Sequence, residues 1–127
     1  MLHPFSQLND EIGVISSSLS VQTLSTNAYK ATSANFEYVG CSYTCPAGKT
    51  AIVYGRTQYS SGKPIGIALS TSSTQLNVLC ESSNVGSYVL RTPLCMVSSG
   101  DTVYLWDKRV EAPSSTNNCY IIGMVIG

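Results

Sequence analysis

From residue 36 onward, apolar side chains recur at alternate positions or in short runs, broken at short intervals by turn residues. Strands are expected over 36–45, 50–58, 65–70, 75–81, 88–97, 102–107 and 119–126. Pro46 to Lys49, Tyr59 to Pro64, the Ser/Thr stretch 71–74, Ser82 to Ser87, Ser99-Gly100-Asp101 and the polar segment after Asp107 separate them. Pro93 interrupts one run and predicts a bend or bulge there, and Gly55 marks a bulge or a close backbone approach. Seven or so short strands predict an antiparallel β-sandwich of the jelly-roll kind.

The last two strands carry more information. Val103 and Leu105 point one way and Tyr104 and Trp106 the other; Tyr120, Ile122, Met124 and Ile126 share one face, Ile121 and Val125 the opposite one. A strand apolar on both faces is covered on both. One cover is the domain's own core, and the simplest second cover is another copy of the chain. Homo-oligomerisation is therefore expected, although the pattern leaves open which face is core and which is interface.

Residues 1–25 have a different period. Phe5, Ile12 and Leu19 alternate with Leu8 and Ile15 in steps of three and four, a heptad seam whose isoleucines favour three strands. A short helical stalk, a coiled coil, is expected over 1–25; Gly13 and the run Ser16 to Ser18 oppose it, and an amphipathic helix or tail on its own domain is the alternative. Residues 26–35 are small and polar, a connector with Tyr29 as a candidate anchor, and residues 36–127 form the head domain.

Charged residues are only 11% of the chain and the net charge is zero, so the electrostatic footprint of a nucleic-acid partner is missing. No apolar run approaches the ~20 residues of a membrane helix, and the N-terminus lacks the order of a secretory signal. Five cysteines are an odd number. Cys41 and Cys45, if on one strand, lie ~13 Å apart at ~3.3 Å per residue, beyond a disulfide's reach. With His3 as the only histidine, a zinc site has too few ligands. Free buried thiols and assembly in a reducing cytoplasm are expected. No cofactor is expected.

The stretch Pro93 to Leu105, an apolar run followed by Gly100-Asp101 and an alternating strand, resembles the trimeric jelly rolls of the tumour necrosis factor and complement globular-head superfamily. Tyr120 and Gly123 match the aromatic and glycine of that family's last strand. The segment Cys45-Pro46-Ala47-Gly48-Lys49-Thr50 and the hydroxyl-rich surface look more like the heads of bacteriophage fibres and receptor-binding proteins. The resemblance covers roughly 36–127. It implies a homotrimeric, virion-borne head that attaches to a host surface, a glycan or a protein, and joins other virion proteins through its N-terminus. A capsid fibre or decoration protein without a specific ligand is the rival, and a secreted complement-head-like ligand is a third reading.

No catalytic constellation is present, with one histidine and seven scattered carboxylates. An enzyme is not expected. Asp101 reads as a turn residue. If successive strands are antiparallel, the loops 59–64, 83–87 and 107–118 gather at one end, opposite the C-terminus; the connector must then climb the domain, which an added N-terminal strand would achieve. Tyr59, Lys63, Asn84, Trp106, Asp107, Lys108 and Arg109 are the candidate ligand-binding residues. The solvated loop face is the plain alternative for the charged ones, and packing is the alternative for Trp106. Ile12, Ile15, Leu19, Tyr104, Trp106, Tyr120, Ile122 and Met124 are the candidate trimer-interface residues.

Overall fold

The structure is a computed structural model that describes residues 20–32, 34–58, 62–83, 89–110 and 113–127. These residues form nine strands: β1 (Gln22–Tyr29), β2 (Glu37–Thr44), β3 (Thr50–Gln58), β4 (Pro64–Ser70), β5 (Val78–Ser82), β6 (Val89–Arg91), β7 (Cys95–Val97), β8 (Thr102–Arg109) and β9 (Asn117–Ile126). The pairing is nested and antiparallel throughout. β1 pairs with β9, β2 with β8, β3 with β6 and β7, and β4 with β5. Further pairs, β3 with β9 and β4 with β8, join the turns of this long ribbon into two sheets. Sheet A has the order β1-β9-β3-β6 with β7 also on β3, and sheet B the order β2-β8-β4-β5. The two sheets form a β-sandwich.

Period-2 geometry decides what lies between them. From sheet B, Val39, Cys41, Ile67, Leu69, Val103 and Leu105 point inward; from sheet A, Val53, Leu90, Cys119 and Ile121 meet them. Ile121 is therefore core, and Ile122 faces outward, half-buried. Gly55 marks the close approach that the sequence suggested, since a Cβ there would lie 2.5 Å from Leu105 Cδ1. Its N–H donates to Thr92 Oγ1 and its carbonyl accepts from the Thr92 N–H, both at 2.9 Å. Thr92 and Pro93 thus separate β6 from β7 within the single run expected over 88–97.

Two expectations are corrected. Gln22 to Ser25 belong to β1, not to a helix, and β1 runs on to Tyr29, into the first part of the segment read as a connector. β1 is the edge strand of its sheet, hydrogen-bonded to β9 along one side, and Leu24 and Tyr29 pack against the core while Ser25 and Asn27 reach Cys41 Sγ and Val39 O of β2. Residues 1–19, with the heptad seam and with Ile12, Ile15 and Leu19, lie outside the described residues. The second correction concerns β8, which continues through Asp107 to Arg109 where a loop was expected.

The strand ends settle the parity argument. β1 starts beside the end of β9, with Gln22 opposite Gly123, and climbs the domain. The connections after β1, β3, β5 and β8 consequently share one end. The turns around Pro46 and Gly100 sit at the other: Gly100 N–H donates to Cys45 O at 2.9 Å and Asp101 N–H to Ser98 O at 3.0 Å. Asp101 is a turn residue.

Candidate functional site

At the loop end, the inward face of β8 changes from apolar to charged. Asp107 and Arg109 follow Val103 and Leu105 at steps of two and are 1% and 0% exposed. Arg109 Nη2 lies 2.9 Å from Asp107 Oδ2. The same guanidinium donates to Thr57 Oγ1 at 2.7 Å, to Gly62 O at 2.5 Å and, through Nε, to Tyr29 Oη at 2.9 Å. Thr57 Oγ1 in turn donates to Asp107 Oδ2 at 3.1 Å. One side chain thereby ties β1, β3, β8 and the β3–β4 connection together. Asp107 and Arg109 are not available to a ligand, contrary to the sequence expectation. Opposite charges two residues apart on one strand face neutralise each other, so the alternation continues inward instead of breaking into a solvated loop. Tyr29 is an anchor, as expected; Thr57 was not foreseen, and the period of β8 carried to residue 109 was the signal for the cluster.

Among the described residues Asp107 Oδ1 has no hydrogen-bond partner. Burial raises the Asp107 carboxyl from 3.8 to about 6, against the lowering pull of Arg109. Between these values the folded chain holds a proton that the unfolded chain has released. Stability contributed by this group is therefore fully present below about pH 4 and is lost as pH rises through about 6. The urea midpoint is expected to be higher at pH 5 than at pH 7, by roughly 1–2 kcal/mol in unfolding free energy. Asp107→Asn should flatten that difference; a parent midpoint that falls on going from pH 7 to pH 5 contradicts the assignment.

The outer face of sheet A is apolar. Met96, Ile52 and Met124 align across β7, β3 and β9, and Tyr54 aligns with Ile122. Met96 is 69% exposed and Ile126 36%. Tyr120 lies nearer the loop end, with the Arg56 guanidinium 5.2 Å from its ring centre.

The outer face of sheet B has a different chemistry. Tyr38 meets Tyr104 edge to face at 5.6 Å and lies 6.2 Å from Trp106. Trp106 Nε1 donates to Ser72 O at 2.9 Å, which fixes the indole. Thr44 and Thr102 share a hydroxyl hydrogen bond of 2.7 Å farther along. Toward the loop end this face opens into a depression of about 400 Å³ lined by Phe36, Ile65, Glu81, Ser82, Ser83 and Lys108. Aromatic faces beside hydroxyls and a lysine suit polar, ring-shaped ligands such as saccharides.

The candidate interface residues are thus divided between opposite faces of the sandwich. Tyr120, Ile122 and Met124 lie on sheet A, and Tyr104 and Trp106 on sheet B. Of the candidate ligand residues, Trp106 and Lys108 sit on the outer face of sheet B, and Lys63 is exposed just before β4. Tyr59 and Asn84 lie outside the described residues. Cys41, Cys45, Cys80, Cys95 and Cys119 are all free thiols. Among the described residues no group of three His, Cys, Asp or Glu side chains could hold a metal ion. No known protein family matches this chain, and no curated protein matches it.

Proposed function

We propose that the chain is a viral structural protein, the homotrimeric jelly-roll head of a bacteriophage fibre or receptor-binding protein, which attaches a particle to a host surface. The observation that carries this reading is the outer face of sheet A, where Met96, Ile52, Met124, Tyr54 and Ile122 form a continuous apolar surface on a domain that already has a complete core. Apolar surface of this kind marks an interaction site. The nested strand ladder supports the jelly-roll part of the reading, because a two-layer ribbon wrapped on itself has this pairing. Attachment is assigned to the outer face of sheet B and the loop end, where Tyr38, Tyr104, Trp106 and Lys108 present aromatic and polar groups on one surface.

Ile122→Asp tests assembly and attachment together. Light scattering should give three chain masses for the parent and one for the variant, with the β-rich circular dichroism spectrum retained. Adsorption to host cells should fall by about 10²–10⁴, the avidity that linked sites supply. Ile121→Asp, which places a charge in the core, should instead unfold the chain. A monomeric parent at micromolar concentration removes the trimer from the proposal. A trimeric parent that adsorbs to no cell or glycan moves the capsid-decoration reading ahead, a reading that the burial of Asp107 and Arg109 already favours by removing two ligand-binding candidates.

A further inference from the structure

Toward the loop end, the outer face of sheet A changes from apolar to cationic. Arg56 on β3 stands directly opposite Arg91 on β6 and, on its other side, opposite Tyr120 on β9. Their chain neighbours Thr57, Leu90 and Cys119 are buried between the sheets, so alternation turns Arg56, Arg91 and Tyr120 outward. The Arg56 guanidinium lies 5.2 Å from the centre of the Tyr120 ring, a contact that limits its freedom. Like charges directly opposite on an antiparallel pair repel. Nothing on this face offsets them. Among the described residues the carboxylates are Glu37, Glu81, Asp101 and Asp107, none of them in sheet A, and Arg109 with Asp107 is the one ion pair. Among the same residues Arg56 Nε is buried and has no acceptor. A charge on an edge strand discourages pairing with another chain, which accounts for Arg91 on β6. It does not account for a second guanidinium on the interior strand β3 with an unused donor. One step nearer the loop end, Gln58 and Asn118 are exposed on the same faces of β3 and β9.

We propose that Arg56 and Arg91 form a carboxylate site whose ligand is an acidic saccharide of the uronic-acid kind. The carboxylate accepts from both guanidinium groups, whose planar forks match its two oxygens, and so replaces their repulsion by two attractions. A small outward turn of Arg56 gives its Nε–H the acceptor it lacks. The side-chain amides of Gln58 and Asn118 donate to and accept from the sugar hydroxyls, which a bare anion does not offer. The site lies on the sheet opposite Trp106 and Lys108, so it is distinct from the attachment surface assigned above. It borders the apolar surface assigned to assembly, at Tyr54 and Ile122, and does not depend on the number of chains.

The test titrates the isotope-labelled full chain with glucuronate, acetate and glucose at low ionic strength and follows backbone and arginine side-chain NMR signals. Glucuronate should shift Arg56, including its Nε–H, together with Arg91 and Gln58, saturably. Acetate should bind the same place about fivefold more weakly, the worth of one neutral hydrogen bond, and glucose should leave these signals unmoved. Arg91→Gln, at an exposed position, should weaken glucuronate by at least about tenfold, the loss of a charge-assisted hydrogen bond. Without ligand it should melt no lower than the parent, because the repulsion is relieved. Lys49→Gln makes the same change of charge in the turn at the other end and should bind like the parent. Glucose or acetate binding as tightly as glucuronate, shifts confined to sheet B, or an Arg91→Gln protein that binds like the parent would overturn the proposal. So would a parent that ignores glucuronate; a light-scattering mass that then falls in Arg91→Gln gives the arginines to a carboxylate of a neighbouring copy instead.

Discussion

Replacing Arg109 by alanine is expected to lower the unfolding free energy by about 3–5 kcal/mol, the cost of leaving a buried charge without its partner. The side chain has no exposed surface, and Asp107, Thr57, Tyr29 and Gly62 all depend on its guanidinium. Without it Asp107 keeps one short contact, from Thr57, and Tyr29 is left with its 3.3 Å hydroxyl contact to Thr57. Lysine should recover little, because an ammonium cannot hold these diverging acceptors in one plane. Denaturant titration of Arg109→Ala and Arg109→Lys measures both effects. Lys108→Ala, one residue away on the half-buried outer face, should change stability by less than about 0.5 kcal/mol. If Arg109→Ala is as stable as the parent, the buried cluster does not hold the sheets together, and the residue returns to the list of ligand contacts.

Gly123→Ala is expected to destabilise the fold by at least about 3 kcal/mol, at the upper end of what an added methyl group costs in a packed interior. A Cβ at this position would lie 2.1 Å from Ile52 O and 2.8 Å from Val53 Cα, both backbone atoms of β3. Gly123 sits opposite Val53 in the ladder between β9 and β3, in the interior of sheet A. Neither backbone can yield without parting that ladder. Gly48→Ala makes the contrast: its φ is +79° but nothing lies within 4 Å, so only the left-handed backbone is strained, at about 1–2 kcal/mol. Comparable melting temperatures for the two variants would contradict the close approach. The aromatic-and-glycine pattern of the last strand thus has a local cause, which is steric contact between two strand backbones.

Most of the strands were legible from residue order, because alternation and turn chemistry are local. Thr50–Gln58 and the hairpin around Gly100 follow from β-branched runs bounded by Pro, Gly and Asp. β1 was called for only by strand parity, which needed an added N-terminal strand, and not by its own residues. Its threonines, serine and asparagine carry no apolar stripe, and its partner β9 lies about ninety residues along the chain, so only the fold supplies the pairing.

The sequence by itself determined the all-β class, the loop end and the presence of two-faced apolar strands. Tertiary structure decided which face is which. Ile121 is core and Ile122 faces outward because the Ile121 face of β9 is the one turned toward sheet B, and Tyr104 and Trp106 share no surface with Tyr120 because β8 belongs to the other sheet. It also decided that Asp107 and Arg109 are buried together. Alternation fixes a side chain's direction relative to its own strand, whereas burial and charge pairing depend on what the rest of the fold brings to that spot.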